Sequence, residues 1–374
     1  MAHAVLGASK AHRWIACPGS IRMEKDIPDE YSRFAAEGTA CHDLSERCLR
    51  EERVAREFIG KRIGEFEVTD EMAEAVQYYV DFVNMHRGIK FYEQRVSYDH
   101  IAPRGFGTAD CLVFNAGHVH VIDAKFGSGV KVHAENNEQL MLYAIGAIKD
   151  FGLDYQVKDV TLNIVQPRLD HVSQCEMSVK TLLEWALEVA KPAAELAMTE
   201  DAPLKPGDKQ CRWCRAKATC GALARENFEL AFGAFDNLDE VDKTVDHHTL
   251  TADQLAVVVS KLDQISGWAD AVKKHATDLL AAGGVIPGWK VVEGRSIRRW
   301  SDEDAAEERL TKLLGHDAFV SKLKSPAQAE KSLGREASGE IVDLIDKPDG
   351  KPTLAPESDK RPALKSYFNK ESDQ

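Results

Sequence analysis

The chain lacks any long apolar run. No stretch of its 374 residues approaches the roughly 20 consecutive apolar residues that a membrane-spanning helix needs. The N-terminal residues, Met1 to Leu6, have neither the charged region nor the long apolar region of a secretory signal peptide. These two absences predict a cytoplasmic protein with no membrane partner.

Positive charge is scarce as well. Lys and Arg number 48 against 61 Asp and Glu, which gives a net charge of −13 at pH 7. A surface of this charge does not attract nucleic acid as a whole. Any nucleic acid would therefore have to bind in a local groove.

Cysteine is infrequent, with 8 in the chain, and part of it is clustered. Cytoplasmic thiols stay reduced, so clustered cysteines indicate metal ligation rather than disulfides. Cys211, Cys214 and Cys220 lie within ten residues, and Cys17, which is followed by a proline, is the best candidate for a fourth ligand. The others are expected to be small core residues: Cys41, Cys48, Cys111 and Cys175.

These four cysteines fit either an iron–sulfur cluster or a structural zinc ion. A Cys₄ zinc ribbon usually has two Cys-x-x-Cys pairs, whereas this sequence has one, so the iron–sulfur interpretation is favoured. Either group would join the N-terminal segment to the end of its domain, because metal binding at such sites is coupled to folding.

The pattern of apolar residues predicts an α/β fold with a mixed central β-sheet flanked by helices. The 44% hydrophobic content is enough for a large core. Helices are predicted at 34–53, 69–87, 136–149, 180–198 and 251–282, and strands at 91–98, 106–114, 118–125, 157–165 and 172–177.

Changes in composition divide the chain into three parts. Residues 1–235 are predicted to form the first domain, closed by the cysteine cluster. Residues 236–345 are predicted to form a mainly helical accessory region with a basic β-hairpin between Trp289 and Trp300. Residues 346–374, rich in Pro, Lys, Asp and Ser, are predicted to be a disordered tail.

Two acidic residues lie at the ends of neighbouring predicted strands. The turn Asn115-Ala116-Gly117 predicts a hairpin, which brings Asp110 close to Asp123 and Lys125. The last two are two residues apart and share one face of their strand. Carboxylates suit Mg²⁺ or Mn²⁺, and the carbonyl of Ala124 could add a neutral oxygen ligand.

Lys125 adds a positive charge to this cation site. An amine there can orient or deprotonate an attacking water, or neutralise the charge that develops on a phosphate. On its own, an Asp-x-Lys motif more often marks an exposed strand with a weak ion pair than a catalytic site.

Further polar residues lie on single helix faces. Gly38, His42 and Glu46 follow one another at i+4 spacing, and Gly38 is expected to let another segment pack closely. Gln139 and Tyr143 are also four residues apart, on the helix that follows the second of the two strands.

The order Gly-Thr-x-x-His, Gly-Thr-x-Asp, Asp-x-Lys and Gln-x-x-x-Tyr resembles the RecB-like branch of the PD-(D/E)XK nuclease superfamily, over roughly residues 10–235. The resemblance implies that the metal ligands are His42, Asp110 and Asp123, to which we add the Ala124 carbonyl. It implies that the active site is formed by Asp110, Asp123, Lys125, Gln139 and Tyr143. No motif position is substituted, so the resemblance also implies an active enzyme.

The cysteine spacing extends this resemblance. RecB-like enzymes of the AddB type and the CRISPR-adaptation nucleases have one early cysteine and a late Cys-x₂-Cys-x₅-Cys group, and they bind a 4Fe–4S cluster. Cys17, Cys211, Cys214 and Cys220 have the same arrangement. The resemblance therefore implies a 4Fe–4S cluster, with structural Zn²⁺ as the alternative.

Two basic stretches with aromatic neighbours are candidates for DNA contacts. One surrounds Trp213 and the late cysteines, and the other lies between Trp289 and Trp300. An alternative for the second is a solvated hairpin with its tryptophans packed inward. The candidate DNA-binding residues are Arg212, Arg215, Lys217, Lys290, Arg295, Arg298 and Arg299.

We therefore expect a metal-dependent deoxyribonuclease, specifically an exonuclease, that leaves a 5′-phosphate and a 3′-hydroxyl as the resemblance implies. The segments 287–290 and 293–296 are also similar to those of an uncharacterised family found in phages and prophages. This predicts a phage-encoded protein of the bacterial cytoplasm that acts in phage DNA replication, recombination or processing.

The expected partners are single-stranded DNA or duplex ends, together with a helicase, single-strand-binding or recombination protein. Two alternatives stay open. One is a non-catalytic DNA-binding or assembly factor that uses the nuclease fold as a clamp. The other is a Cys₄ zinc protein with an unrelated activity.

Overall fold

The computed structural model describes residues 4–28, 31–227, 252–294, 299–319, 323–346, 352–356 and 361–362. The chain divides into two compact units, Met1–Gly267 and Trp268–Gln374. This boundary lies inside a long helix, and the predicted boundary at 235/236 lies outside the described residues. The first half of that helix belongs to the first unit because Lys261 pairs with Asp208 and Gln264 bonds to Asn227.

The first unit alternates helices and strands. Its strands are β1 (Arg62–Ile63), β2 (Phe66–Glu67), β3 (Ile89–Ser97), β4 (Phe106–Asn115), β5 (His118–Ala124), β6 (Asp159–Gln166) and β7 (His171–Ser178). Its helices are α1 (Ala11–Ala16), α2 (Ser20–Glu24), α3 (Arg33–Glu51), α4 (Asp70–Met85), α5 (Glu138–Tyr155), α6 (Val179–Trp185), α7 (Lys191–Ala197) and α8 (Asp208–Arg212). A π-helical segment, Ala186–Ala190, joins α6 to α7, so the helix predicted at 180–198 is present.

The central sheet has the order β3-β4-β5-β6-β7, and the predicted α/β class is confirmed. β5 and β6 are parallel and the other pairs are antiparallel. Alternate residues of β4 point to opposite faces, as strand geometry requires. Leu112 joins the core shared with α5, whereas Val113 joins the core shared with α3 and α4.

The predicted hairpin between β4 and β5 is confirmed. Asn115 pairs with His118 across a two-residue turn, in which Ala116 has φ 45° and Gly117 has φ 84°. Positive φ at both turn residues is the conformation whose twist matches two antiparallel strands. This tight turn fixes the register that places Asp110 beside Asp123.

Side-chain caps set the start of the helices on both faces of the sheet. The Thr69 hydroxyl accepts from the Met72 N–H at the start of α4, and the Asn137 side chain accepts from the Leu140 N–H at the start of α5. Caps of this kind typically contribute about 1 kcal/mol each. The α5 cap fixes where the face carrying Gln139 begins.

The described part of the second unit contains two short β pairings and three α-helical segments. Its elements are the second half of α9 (Ala252–Ala281), β8 (Trp289–Glu293), β9 (Arg299–Trp300), α10 (Glu303–Leu314), α11 (Pro326–Ala337), β10 (Ile345–Asp346) and β11 (Pro352–Pro356). Trp300, Leu310 and Ile341 belong to its own apolar core.

Two predictions for this unit are wrong. β8 pairs with β11 and β9 pairs with β10, so the described residues between Trp289 and Trp300 do not form the predicted β-hairpin. The segment Pro352–Pro356 is a strand rather than part of a disordered tail, because it supplies the partner of β8 over five paired positions. Much of the predicted tail, at 347–351, 357–360 and 363–374, lies outside the described residues.

None of the helices in the described ranges has the length and apolar character needed to cross a bilayer.

Candidate metal centre and cysteine cavity

Three carboxylates stand side by side on three neighbouring strands. The register of β3 against β4 places Glu93 opposite Asp110, and the register of β4 against β5 continues to Asp110 opposite Asp123. The β3–β4 ladder lacks the pair between Glu93 and Asp110. The β4–β5 ladder begins at Cys111, the residue after Asp110. Like charges this close repel one another, so the row favours a bound cation.

Asp110 lies at the middle of this row. Its Oδ2 accepts from the Ala124 N–H at 2.7 Å and lies 3.4 Å from His42 Nδ1. Burial and the neighbouring Asp123 raise the pKa of Asp110, His42 and Lys125 lower it, and the net result is a pKa of about 6. The Ala124 contact uses its N–H, so the role predicted for its carbonyl stays a prediction.

Glu93 is the site residue that the sequence analysis missed. A ligand atom from each of His42, Glu93 and Asp110 lies within 4.8 Å of the others. Burial, followed by the negative charge of Asp110, raises the pKa of Glu93 to about 8. The signal was an acidic residue in the middle of the β-prone run that becomes β3, but no motif of the nuclease resemblance covers it.

The backbone of Glu93 is in the left-handed region, with φ 47°. For a residue other than glycine this conformation costs on the order of 1–3 kcal/mol, and such strain concentrates at functional sites. The distortion coincides with the interruption in the β3–β4 ladder. We take both as the local adjustment that brings the Glu93 carboxylate close to His42.

Lys125 and Asp123 form the second half of the centre. Lys125 Nζ lies 2.7 Å from Asp123 Oδ2, close enough for an ion pair although poorly aligned for a hydrogen bond. Burial alone would lower the pKa of Lys125, but Asp123 and Asp110 outweigh it and the pKa is raised. The ammonium therefore stays protonated at neutral pH.

Gln139 and Tyr143 hold this pair from α5. The Gln139 amide donates to Asp123 Oδ1 at 3.0 Å and to the Tyr143 hydroxyl at 3.1 Å, and its oxygen accepts from Lys125 at 3.3 Å. A Cβ atom added at Gly107 would lie 2.5 Å from Tyr143 Cε1. The glycine of Gly-Thr-x-Asp therefore leaves room for this tyrosine ring, and all the predicted side chains meet at one edge of the sheet.

The expectation for Gly38 is wrong. No atom of the described residues lies within 4 Å of a Cβ atom added there, although Gly38 is only one turn from His42. Phe34, another turn towards the helix start, is 87% exposed. The first turns of α3 extend beyond the core, so the face leading to His42 is open.

The four predicted cysteines line one small cavity with apolar neighbours that include Met23 and Leu204. The Cys17 sulfur accepts from the Lys205 N–H at 3.2 Å, and the Cys211 sulfur accepts from the Gly207 N–H at 3.4 Å. Burial raises the pKa of Cys17 and Cys211, so without a bound cation these thiols are neutral. Binding of a cation would favour the thiolates.

The separation of the sulfurs bears on which group fits. No three of the four sulfur atoms, all within the described residues, lie within 4.8 Å of one another. A zinc ion with Zn–S bonds of about 2.3 Å would hold its sulfurs roughly 3.8 Å apart. Among the described residues, the four sulfurs are therefore not gathered as tightly as they would be around a bound zinc ion.

Protein contacts also join the two segments around this cavity. The Gly19 N–H donates to the Pro203 carbonyl at 2.9 Å, and a Cβ at Gly19 would lie 2.7 Å from the Ala202 carbonyl. Glu24, buried and ion-paired with Arg13, accepts from the Arg215 N–H at 2.8 Å. The N-terminal segment is thus bound to the end of the domain.

Of the predicted DNA-binding residues near the cavity, Arg215 forms structural contacts, whereas Arg212 and Lys217 lie near the exposed Trp213. Arg215 is a correction, because its guanidinium donates to the carbonyls of Glu24 and Ile27 and holds the two segments together. Arg212 lies 5.8 Å from the ring of Trp213, which is 66% exposed. Lys217 donates to the Arg212 carbonyl at 3.2 Å.

In the second unit the tryptophans differ. Trp300 is buried and donates to the Lys324 carbonyl, whereas Trp289 is 45% exposed. Arg299 pairs with Asp346 at 3.2 Å, and Lys290 is half-buried. Arg295 and Arg298 lie outside the described residues.

Cys41, Cys48 and Cys111 are buried as predicted, and Cys175 is half-buried.

Comparison with known proteins identifies the family. The chain matches DUF2800, a family described as proteins of unknown function, over residues 3–362, and it belongs to that family. Among solved structures, one similar chain is described as "Crystal structure of SSO0001". It is 11% identical, the alignment covers 57% of this chain and 85% of that one, and the TM-score is 0.23. This likeness is too slight to inform the site.

Proposed function

We propose that this protein is a metal-dependent DNA nuclease, acting as an exonuclease in phage DNA replication, recombination or processing. The observation that carries the proposal is the convergence of His42, Glu93, Asp110, Asp123 and Lys125 at one edge of the sheet. Hard oxygen ligands, an imidazole and a half-buried ammonium are groups that can support metal-assisted phosphodiester cleavage.

The donor set fits Mg²⁺ or Mn²⁺. His42, Glu93, Asp110 and Asp123 would hold the ion, and the raised pKa values of Glu93 and Asp110 mark positions where a cation would replace protons. When bound, such an ion supplies Lewis acidity towards the phosphate and lowers the pKa of a coordinated water.

The chain's own residues would do the rest. Protonated Lys125 would place its positive charge where negative charge develops on the phosphate. Asp123 and Gln139 would hold the ammonium in place, and Tyr143 in turn holds Gln139. Gln139 and Tyr143 thus act as positioning residues.

We also propose that Cys17, Cys211, Cys214 and Cys220 hold a 4Fe–4S cluster with a structural role. The support is their common cavity and the N–H···S contacts at two of them, together with the spacing of the cysteines in the sequence. Anaerobically purified protein that is colourless and contains stoichiometric zinc would overturn this assignment.

The substrate that we propose is single-stranded DNA or a duplex end. It would reach the centre along the open face of α3, where Gly38 leaves free space and Phe34 offers an exposed ring for stacking. A helicase, single-strand-binding or recombination protein would deliver it.

A digestion panel tests the proposal. The substrates are 5′-labelled, 3′-labelled, circular and single-stranded DNA, each with Mg²⁺ or Mn²⁺. We expect linear DNA to be digested, circular DNA to survive, and Lys125→Ala to lose at least about 100-fold in rate. Lys131→Ala, which changes an exposed lysine six residues away, is the matched control. DNA binding without any cleavage would favour the clamp alternative instead.

A further inference from the structure

Arg168 has four hydrogen bonds to three parts of the first unit. It lies in the turn after β6, and its side chain is only 17% exposed. Its Nε and Nη2 donate to the Glu71 carboxylate at 2.8 and 3.0 Å, Nη2 also donates to Glu37, and Nη1 donates to the Phe126 carbonyl at 2.9 Å. A planar fork of this kind fixes its partners in direction as well as distance.

Two of these partners adjoin the metal centre. Glu37 lies on α3, five residues before His42, and Phe126 immediately follows Lys125. The buried ring of Phe126 meets the His42 ring edge-on, with ring centroids 5.2 Å apart. Arg168 therefore connects the helix that carries the imidazole to the strand end that carries the acid and the lysine.

The other partner braces the arrangement from α4. Glu71 lies in the first turn of α4, and Tyr79 of the same helix lies edge-on to Phe126 at 6.2 Å. The arginine charge is neutralised by the two carboxylates. Its orientation towards Glu37, Glu71 and Phe126 leaves it outside the contacts that we assign to DNA.

We propose that Arg168 is a positioning residue that holds His42 over the carboxylates of the metal centre. It does so by fixing Phe126 against the imidazole and by tying the first turns of α3 to the end of β5. This inference rests on the proposed function, because it concerns the metal affinity of the same site. Outer groups that orient a metal ligand typically contribute 10- to 100-fold in affinity.

A double-mutant cycle on Mn²⁺ binding tests this role. Mn²⁺ affinity is measured by calorimetry on full-length wild type, Arg168→Met, His42→Ala and the double variant, with folding checked by circular dichroism. We expect Arg168→Met to weaken Mn²⁺ binding about 10-fold in the wild-type background and to have little effect once His42 is absent.

Arg53→Met is the matched control. Arg53 also has two carboxylate partners, Glu57 at 3.0 Å and Glu51 at 3.2 Å, but none of these contacts reaches the metal centre. We expect its Mn²⁺ affinity to equal that of the wild type. If it falls as far as in Arg168→Met, the effect is general destabilisation and the inference is wrong.

The remaining outcomes separate the two proposals. If His42→Ala weakens Mn²⁺ binding and Arg168→Met does not, the inference about Arg168 fails while the metal centre stands. An equal loss in both backgrounds also overturns it, because Arg168 would then act independently of His42. If His42→Ala leaves Mn²⁺ binding unchanged, the proposed centre itself is wrong. Should Arg168→Met not fold, Arg168→Lys replaces it, with a smaller loss expected because the fork geometry is lost and the charge is kept.

Discussion

The metal centre and the cysteine cavity are built in different ways. In the metal centre the side chains stand on adjacent strands of one sheet and on α5, and they partner one another, as in the network of Asp123, Lys125 and Gln139. Around the cavity, Cys17 and the late cysteines come from short helices and turns far apart in the chain. The side chains of the candidate metal centre thus stand on one continuous scaffold, whereas the cavity lies between two distant segments that meet through loop contacts.

The two sites are expected to have opposite effects on the stability of the first unit. Burying mutually repelling carboxylates in the metal centre costs stability, which is the usual relation between an active site and its fold. The cysteine cavity would instead increase stability, because a cluster bound there would add a cross-link between distant segments. Substitutions in the two regions should therefore change stability in opposite directions.

The largest effect is expected from Asp110→Asn. Nuclease activity should fall at least about 100-fold, because a metal ligand is lost. The melting temperature of the metal-free protein should stay the same or rise, because a buried carboxylate next to Asp123 is removed. The measurements are digestion rate and calorimetric melting in EDTA, with Asp159→Asn as an exposed control on β6 of the same sheet. A clear drop in melting temperature would break the comparison.

Cys214→Ser should have the opposite effect on stability. Loss of one ligand should remove the brown colour of the cluster and lower the stability of the first unit by roughly 3 kcal/mol, or about 10 °C in melting temperature. Cys175→Ser, which changes a half-buried cysteine outside the cavity, should leave colour and melting unchanged. If Cys214→Ser melts like the wild type, the cavity does not join the two segments in the way proposed.

The pH dependence of the metal-free protein sharpens the contrast. The pKa of Glu93 is raised to about 8 in the folded state, above its usual value of about 4.5. A raised carboxyl pKa means that the folded state binds the proton more tightly, so stability falls as pH rises between these two values. Melting temperatures measured in EDTA from pH 5 to 8 should decline by several degrees, and less in Glu93→Gln. Mn²⁺ should reduce this decline. A wild-type melting temperature that does not change with pH would contradict the prediction.

The smallest effect is expected from Gly38→Ala. A methyl group there has no neighbour within 4 Å in the described part of the chain, so the substitution should stabilise α3 by about 1 kcal/mol, the usual gain of alanine over glycine inside a helix. If DNA passes along this face, its affinity should fall at the same time. The test is melting temperature together with anisotropy of labelled single-stranded DNA. Unchanged DNA binding would mean that the substrate approaches from another side.

Most of the candidate site is predictable from the sequence because its parts are local. The hairpin turn at Asn115 to Gly117 fixes one register, and the helical spacing of Gln139 and Tyr143 fixes one face. Each motif therefore carries its own geometry, and the structure brings these side chains together as expected. The fold class follows from the same strong periodicities.

The misses have a common physical cause. The position of Glu93 in the site depends on the pairing of β3 with β4 and on a left-handed backbone conformation. Neither can be predicted from the residues around Glu93. The pairing of β8 with β11 joins segments about 60 residues apart, and short strands carry no signal of their partner. Arg215 has the appearance of a surface cation because its buried acceptors come from the other end of the domain.

The contact between the two ends of the first domain also sets an order of events during synthesis. Cys17 and Lys205, which bond to each other, are 188 residues apart. At about 5–20 residues per second, a ribosome needs roughly 10–40 s to make the intervening chain. The strands that carry the acidic row leave the ribosome well before the last cysteines do. The N-terminal segment can pack against α5 as soon as that helix is made, but its contacts around Cys17 have to wait for the end of the domain.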